Sequence, residues 1–182
     1  MILVRVAGVA LDPTGQHVIL LKPLGENPGE GRILPIWIGA QEATSILVAV
    51  EGAEVPRPLA HDLMRSLLDT VGASVTGVAV TRIDEGTFYA EVALSTPMGE
   101  RLVDARPSDA VALASRVEAP IWVAEEVMQD AGVLDTVTES DEEEDEAEDP
   151  DDEVVVTDDI ARERLDEFKR FLDDVDPDDF RG

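Results

Sequence analysis

Apolar and polar residues alternate along the chain in short segments, and this pattern predicts a sheet of short strands interrupted by helices. Strands are favoured where β-branched and apolar residues cluster between turn residues. The predicted strands cover residues 4–11, 17–21, 33–38, 75–83, 87–94, 101–105 and 121–124. The turn residues Asp12-Pro13-Thr14-Gly15, Asp84-Glu85-Gly86 and Pro97-Met98-Gly99 lie between consecutive strands. Such turns favour antiparallel pairing of the strands that they join.

Four segments have the spacing of helices. In the first, apolar residues recur at i, i+3, i+4 and i+7, namely Ala43, Ile46, Leu47 and Val50, which predicts one buried face. The other three are predicted over residues 59–71, 110–117 and 125–130. Together the elements predict an α/β protein of the α+β type. We expect a single domain over residues 1–135, with a mixed, largely antiparallel sheet flanked by helices.

The net charge of −27 is concentrated at the C-terminal end of the chain. Residues 1–138 carry 9 Lys and Arg against 19 Asp and Glu, a net charge of −10. Residues 139–182 carry 5 against 22, a net charge of −17. We expect residues 136–156 to be a disordered acidic linker, because a run of like charges repels itself and cannot bury apolar area.

Residues 157–182 are predicted to contain an amphipathic C-terminal helix. Its apolar stripe consists of Ile160, Leu165, Phe168, Phe171, Leu172 and Val175. A helix this short is marginal alone and needs a surface on which to dock. Three surfaces are open to it: its own domain, a second copy in a homo-oligomer, or another protein.

Composition excludes several classes of protein. The chain has no cysteine, which excludes a disulfide framework and any zinc site with cysteine ligands, and which suits a reducing cytosol. No apolar run approaches the roughly 20 residues of a membrane helix, so we expect a cytoplasmic protein that neither enters nor spans a membrane. The acidic first 138 residues argue against a broad nucleic-acid surface, so any such contact would be local or bridged by divalent cations.

Two short motifs combine Arg, Pro and a carboxylate at predicted helix starts. They are Arg57-Pro58-Leu59-Ala60-His61-Asp62-Leu63 and Arg106-Pro107-Ser108-Asp109-Ala110. Pro presets the first helical turn, and a carboxylate in that turn is favoured by the helix dipole. One interpretation is two well-capped structural helices, in which each carboxylate contributes a few tenths to about 1 kcal/mol. The other is a site for a phosphate or a phosphate-bound metal, formed where the two helix starts meet.

The side chains of these motifs are candidates for phosphodiester chemistry. The predicted catalytic residues are His61, which would relay a proton, Asp62 and Asp109. Carboxylates brought together from separate elements suit Mg²⁺ or Mn²⁺, and the predicted metal ligands are Glu42, Asp62 and Asp109. Substrate phosphate would be held by Arg57, Arg106 and Ser108. For each residue taken singly, a structural role is the simpler alternative.

Eight motifs follow one another in a definite order between residues 3 and 131. They are Leu34-Pro35-Ile36-Trp37-Ile38-Gly39, Glu42-Ala43, Gly52, Arg57-Pro58, His61-Asp62-Leu63, Gly86-Thr87-Phe88, Arg106-Pro107-Ser108-Asp109-Ala110 and Ala112-Leu113-Ala114. As an ordered set they resemble the bifunctional nuclease family. The resemblance implies a single α/β domain with a mixed sheet and nuclease activity on both DNA and RNA. One departure is Ala60, where the family often has Thr directly before the His-Asp pair.

Two functions from different classes follow from these observations. The first, which we favour, is a nuclease that hydrolyses phosphodiester bonds in DNA and RNA with the help of a divalent metal. The second is a non-enzymatic regulatory module, in which Arg57 and Arg106 capture an anion and the C-terminal helix contacts a protein partner. A third hypothesis concerns regulation: the acidic tail would imitate nucleic acid by its charge and occlude the domain's own site.

Overall fold

The computed structural model describes residues 1–135, in which eight strands and four helices form an α+β domain. The strands are β1 (Ile2–Leu11), β2 (His17–Pro23), β3 (Arg32–Ile38), β4 (Ser74–Asp84), β5 (Thr87–Thr96), β6 (Gly99–Ala105), β7 (Ile121–Val123) and β8 (Val133–Leu134). The helices are α1 (Ala40–Val50), α2 (Ala60–Thr70), α3 (Pro107–Val117) and α4 (Glu125–Ala131). The predicted linker over 136–156 and the predicted helix within 157–182 lie outside the described residues. Among the residues described, no helix has the length and apolar character needed to cross a membrane.

One mixed sheet contains all eight of these strands, in the order β6-β5-β4-β7-β1-β2-β3-β8. The pairing of β4 with β7 is parallel, and the other described pairs are antiparallel. Short turns join β1 to β2 and β4 to β5, as their turn residues predict. Strand β7, although it comes late in the chain, lies between β4 and β1. It therefore joins the antiparallel group β4 to β6 and the antiparallel group β1 to β3 into one sheet. The predicted fold class, a mixed and largely antiparallel sheet with helices, is confirmed.

Helix α3 is the central helix of the domain. Its sequence is rich in alanine, and seven of its eleven residues are buried. Small side chains such as those of Ala110, Ala112 and Ala114 let neighbouring elements approach closely, and α1, α2, β4 and β5 all contact this helix. Because α3 is fixed on several sides, its N-terminal residues are held in defined positions.

Two expectations about helix faces and helix starts are wrong. Val50, expected on the buried face of α1, is exposed, while Ser45 is buried on that helix. Pro58 lies before the N-terminal cap of α2 at Leu59, so it is not in the first turn of that helix, whereas Pro107 does begin α3. Sequence spacing located both helices but did not determine which side of each one faces the core.

Most of the apolar stripe that predicts α2 faces solvent, and only Leu68 of this helix packs against the hydrophobic core. Leu63, Leu67 and Val71 along it are exposed, and the residue of α2 that is buried is His61. The helix therefore turns a polar ring towards the protein and leaves an apolar stripe outside. This orientation puts an imidazole in the interior, where it needs polar partners.

The end of the described domain is fixed by an ion pair that the sequence did not predict. The buried Lys22 ammonium contacts the buried Asp135 carboxylate and donates to the carbonyl oxygen of Glu30 at 2.9 Å. Asp135 also accepts from the Gly29 amide at 3.1 Å. Strand β8, also unpredicted, pairs with β3 just before this residue. Together these contacts attach the end of the domain to β2 and β3.

Candidate active site

The N-terminal turns of α1, α2 and α3 meet at one cleft of about 720 Å³. The residues that line it are Ala40, Gln41, Glu42, Thr44 and Ser45 from α1, Leu59, Ala60, His61 and Met64 from the start of α2, and Arg106 and Asp109 from the start of α3. The two helix starts predicted from the Arg-Pro motifs therefore do converge, and a third helix start joins them. Of the predicted site residues, the cleft contains Glu42, His61, Arg106 and Asp109.

His61 connects the other two helices through both nitrogens of its ring. Its Nδ1 lies 2.9 Å from the Ser45 Oγ of α1, and its Nε2 lies 3.2 Å from the Asp109 Oδ1 of α3. The residue is 5% exposed, so the ring is held in the wall of the cleft. An ionised Asp109 can only accept a hydrogen bond, which places the ring proton on Nε2 and makes Nδ1 an acceptor for the Ser45 hydroxyl.

Arg106 bridges the two carboxylates at the rim of the cleft. Its Nε and Nη2 donate to Asp109 Oδ2 and Oδ1 at 2.7 and 3.0 Å, and Nη2 lies 3.0 Å from Glu42 Oε1. Burial alone would raise the pKa of Asp109, but the Arg106 guanidinium and the His61 ring outweigh it and lower that pKa. The Asp109 carboxylate in turn raises the pKa of Arg106, and Glu42 has a smaller effect in the same direction. Asp109 is therefore an anion at neutral pH, as the assignment of the ring proton requires.

Glu42 is positioned by the glycine that precedes α1. A Cβ built on Gly39 would lie 2.3 Å from Glu42 Oε2, so the carboxylate occupies space that any other residue would fill. Gly39 has a φ of −74°, which other residues adopt readily, so the requirement there concerns space. The Ile38-Gly39 end of β3 thus determines where the carboxylate of Glu42 can lie.

Asp62, although next to His61 in the chain, faces different partners. Its Oδ1 accepts from Arg116 Nε at 2.7 Å and its Oδ2 accepts from the Leu59 amide at 2.8 Å. Burial acts to raise the pKa of Asp62, but the Leu59 amide and the Arg116 guanidinium together hold it below its usual value. Asp62 is not among the residues that line the cleft. These contacts cap α2 and join it to α3, which is a structural role in place of the predicted catalytic one.

Arg57 and Ser108, both predicted to bind phosphate, are not among the lining residues either. Arg57 is exposed and lies before the cap of α2. Ser108 is buried in the first turn of α3. Of the three predicted phosphate ligands, the structure brings only Arg106 to the cleft.

The three predicted metal ligands do not form one cluster, because Asp62 lies apart from Glu42 and Asp109. Glu42 and Asp109 both contact the Arg106 guanidinium, and Asp62 contacts Arg116. Within residues 1–135 there is no group of three or more His, Asp or Glu side chains arranged to hold a metal ion. A cation already lies between the two carboxylates of the cleft, so the side chains as arranged do not fit Mg²⁺ or Mn²⁺. The metal predicted from the sequence stays a prediction.

Two residues of this region were not predicted, Ser45 and Arg116. Ser45 follows the apolar position Ala43, and a polar residue within an otherwise apolar helix is the signal that could have identified it. The Arg116 side chain is 4% exposed near the end of α3, where it also donates to the carbonyl oxygens of Ser45 and Ala112 at 3.1 and 2.9 Å. No local motif marks Arg116, because its partners come from other helices.

Most of the chain is similar to known proteins. Residues 23–136 match the bifunctional nuclease domain. A Mycobacterium tuberculosis (strain H37Rv) protein named uncharacterized protein Rv1829 is 42% identical over 180 residues, 98% of either chain. Bifunctional nuclease 1 of Oryza sativa subsp. japonica is 26% identical over 67% of this chain and 37% of its own length. Bifunctional nuclease 2 of Arabidopsis thaliana is 30% identical over 52% of this chain and 30% of its own length. The match covers about a third of the length of each of these plant proteins. The domain match over residues 23–136 covers more than half of this chain and shows that it belongs to the bifunctional nuclease domain family.

Proposed function

We propose that this protein hydrolyses phosphodiester bonds in DNA and RNA at the cleft between α1, α2 and α3. The observation that carries the proposal is His61, held by Ser45 and Asp109 next to the guanidinium of Arg106. A base oriented by a carboxylate can accept the proton of the attacking group, and a cation beside it can stabilise the charge that develops on the phosphate. The names of the plant relatives, bifunctional nucleases, support the same class of reaction.

His61 serves as the general base of this reaction. Its Nε2–H donates to Asp109, so Nδ1 is free of its own proton and takes one from the attacking hydroxyl group. Asp109 keeps the ring in this tautomer and stabilises the imidazolium that forms, as the carboxylate does in other oriented histidine bases. The same ring then returns the proton to the leaving oxygen.

Arg106 binds the phosphate. Its Nε and Nη2 are engaged by Asp109 and Glu42, while the described residues leave its Nη1 without a hydrogen bond. The side chain is 65% exposed, so an anion from solvent can reach these N–H groups. The N-terminal turns of three helices add partial positive charge on the same side. A local site of this kind agrees with a chain that carries a net negative charge.

Cleavage of labelled single-stranded DNA and RNA by the purified full-length protein tests this proposal. We expect His61→Gln to lower kcat by roughly 10²–10⁴-fold, the usual contribution of a general base. The matched control is His17→Gln, which changes the other histidine of the chain at the start of β2. Equal loss in both variants, or full activity in His61→Gln, would contradict the assignment.

A second pair of variants separates phosphate binding from general charge. Arg106→Gln should raise KM at least tenfold, because a charge-assisted hydrogen bond to phosphate is lost. Arg101→Gln is the control, since Arg101 is exposed on β6 and donates to backbone carbonyls of its own turn. We expect Arg101→Gln to leave KM within twofold of the unchanged protein.

One observation favours a second candidate function, a protein-binding module. The exposed apolar side chains of α2, Leu63, Leu67 and Val71, lie beside the cleft-lining Met64 on the same helix. A contiguous apolar stripe on a surface helix is typical of an interaction site. Purified protein that cleaves neither DNA nor RNA, yet binds a partner that Leu67→Ser releases, would favour this function over the nuclease.

A further inference from the structure

The Ser45 hydroxyl differs from other hydroxyls on the helices of this domain. Thr44, Ser66, Thr70 and Ser115 each donate to the backbone carbonyl oxygen four residues earlier, at 2.7 to 2.9 Å. This is the common local partner for Ser and Thr within helices. Ser45 instead has its hydroxyl 2.9 Å from Nδ1 of His61. Its proton is therefore directed at a base.

The arrangement around Ser45 is that of an activated nucleophile. The His61 ring lies between the other two side chains. Its Nδ1 is 2.9 Å from Ser45 Oγ, and its Nε2 is 3.2 Å from Asp109 Oδ1. Nucleophile, base and orienting carboxylate within hydrogen-bond reach of one another are the diagnostic geometry of covalent catalysis. The nitrogens are used in the opposite sense to the Ser-His-Asp triad of serine proteases, but the roles of the three side chains correspond. Ser45 and His61 both line the cleft.

We propose that Ser45 is the nucleophile of the reaction, an inference that rests on the proposed function. Ser45 Oγ forms a bond to the phosphorus of the scissile diester while its proton passes to His61 Nδ1. The bond from phosphorus to the leaving nucleoside oxygen breaks, and that oxygen takes the proton from His61. Water then attacks the phosphoseryl diester, gives a proton to His61, and releases Ser45 Oγ, which recovers its proton.

This mechanism is compatible with cleavage of both DNA and RNA, as the proposed function requires. An attacking group supplied by the protein needs no 2′-hydroxyl, so DNA and RNA are equivalent substrates. It also predicts that RNA is cut without a 2′,3′-cyclic phosphate product, because the 2′-hydroxyl takes no part in the first step.

Stereochemistry at phosphorus distinguishes this mechanism from direct attack by water. The full-length protein is given a dinucleotide phosphorothioate of one configuration in ¹⁸O-labelled water, and the configuration of the product is determined. Two successive in-line displacements give net retention, which we expect. Inversion would show that water attacks phosphorus directly and would overturn the proposal. The result does not depend on how long the intermediate lives, and it uses the unmodified protein.

Variants then assign the nucleophile. Ser45→Ala should lower kcat at least 10³-fold, and acid quenching during turnover of ³²P-labelled oligonucleotide should leave label on the Ser45 peptide of the unmodified protein. The control is Ser115→Ala, because the Ser115 hydroxyl donates to the Val111 carbonyl oxygen of its own helix and the residue does not line the cleft. Retention of configuration in Ser45→Ala at near-normal rate would overturn the assignment, and circular dichroism shows that the variant is folded.

The outcomes separate the two proposals. If the unmodified protein cleaves neither DNA nor RNA, the proposed function fails and the role of Ser45 fails with it. If it cleaves both with inversion, the function holds and only the role of Ser45 is overturned, leaving Ser45 as a residue that positions His61.

Discussion

Asp109 Oδ1 lies 3.2 Å from His61 Nε2, although 48 residues separate the two in the chain. The contact joins the start of α3 to the first turn of α2, and it determines which ring nitrogen carries the proton. Arg106 holds the other side of the same carboxylate. One aspartate therefore orients the proposed base and fixes the proposed phosphate ligand.

Replacing Asp109 with Asn should reverse the tautomer of His61. An amide can donate to Nε2, which would leave the proton on Nδ1 and remove the acceptor that faces Ser45. We expect kcat to fall roughly 10²–10⁴-fold with little change in fold. The measurement is steady-state cleavage together with ¹⁵N chemical shifts of the His61 ring. A normal rate with Nδ1 protonated would contradict the role of Nδ1 as proton acceptor.

Asp62→Asn should destabilise the protein while leaving the active site in place. The change leaves the buried Arg116, 4% exposed at its side chain, without a negative partner. Breaking such a pair costs about 3 kcal/mol. Chemical denaturation measures the loss, and we expect kcat to stay within about threefold. The control Asp69→Asn changes an exposed carboxylate of the same helix. A large loss of kcat at unchanged stability would restore the catalytic role predicted for Asp62.

The stability of the protein at acid pH should depend on the ion pair between Asp62 and Arg116. The pKa of Asp62 is lower in the folded protein than the value of about 3.9 for an unfolded aspartate. The folded state then binds fewer protons, so the contribution of this pair is complete above about pH 5 and is lost as pH falls through the folded-state pKa. In Asp62→Asn the free energy of unfolding should fall less between pH 5 and pH 3 than it does in the unmodified protein. An identical slope in both proteins would contradict this assignment.

Gly39→Ala should affect the cleft more than the fold. The new Cβ would lie 2.3 Å from Glu42 Oε2, and the end of a flexible side chain can move away. Glu42 would then release Arg106, and we expect KM to change several-fold at a cost of about 0.5–1 kcal/mol for the weaker helix cap. Gly8→Ala is the matched control, because a Cβ there meets nothing within 4 Å. Equal effects of the two substitutions on KM would contradict the role given to Gly39.

Chelation decides whether the metal predicted from the sequence takes part. Because Arg106 already lies between Glu42 and Asp109, we expect cleavage to continue in EDTA. Activity that EDTA abolishes and Mg²⁺ or Mn²⁺ restores would establish the metal, and it would mean that Arg106 leaves the two carboxylates when the ion binds. Isothermal titration of the protein with Mn²⁺, beside Glu42→Gln, gives a reading that does not depend on turnover.

The sequence by itself determined seven of the eight described strands, the four described helices and four of the residues that line the cleft. Strand and helix positions follow from local spacing and turn residues, because these act over a few neighbouring positions. The ordered motifs likewise identified the family, and four predicted residues, Glu42, His61, Arg106 and Asp109, line one cleft. Each lies in or beside the first turn of a helix, where local sequence is informative.

Only the tertiary structure decided the partner of each polar side chain. Adjacent residues on a helix point about 100° apart, so His61 faces Ser45 and Asp109 while Asp62 faces Arg116. Which of the two turns towards the cleft depends on how α2 packs on α3, and residues distant in the chain determine that packing. For the same reason most of the apolar stripe of α2 faces solvent and the buried Ser45 lies beside the imidazole. Periodicity shows that a helix has two faces, but packing against the rest of the domain decides which face is buried.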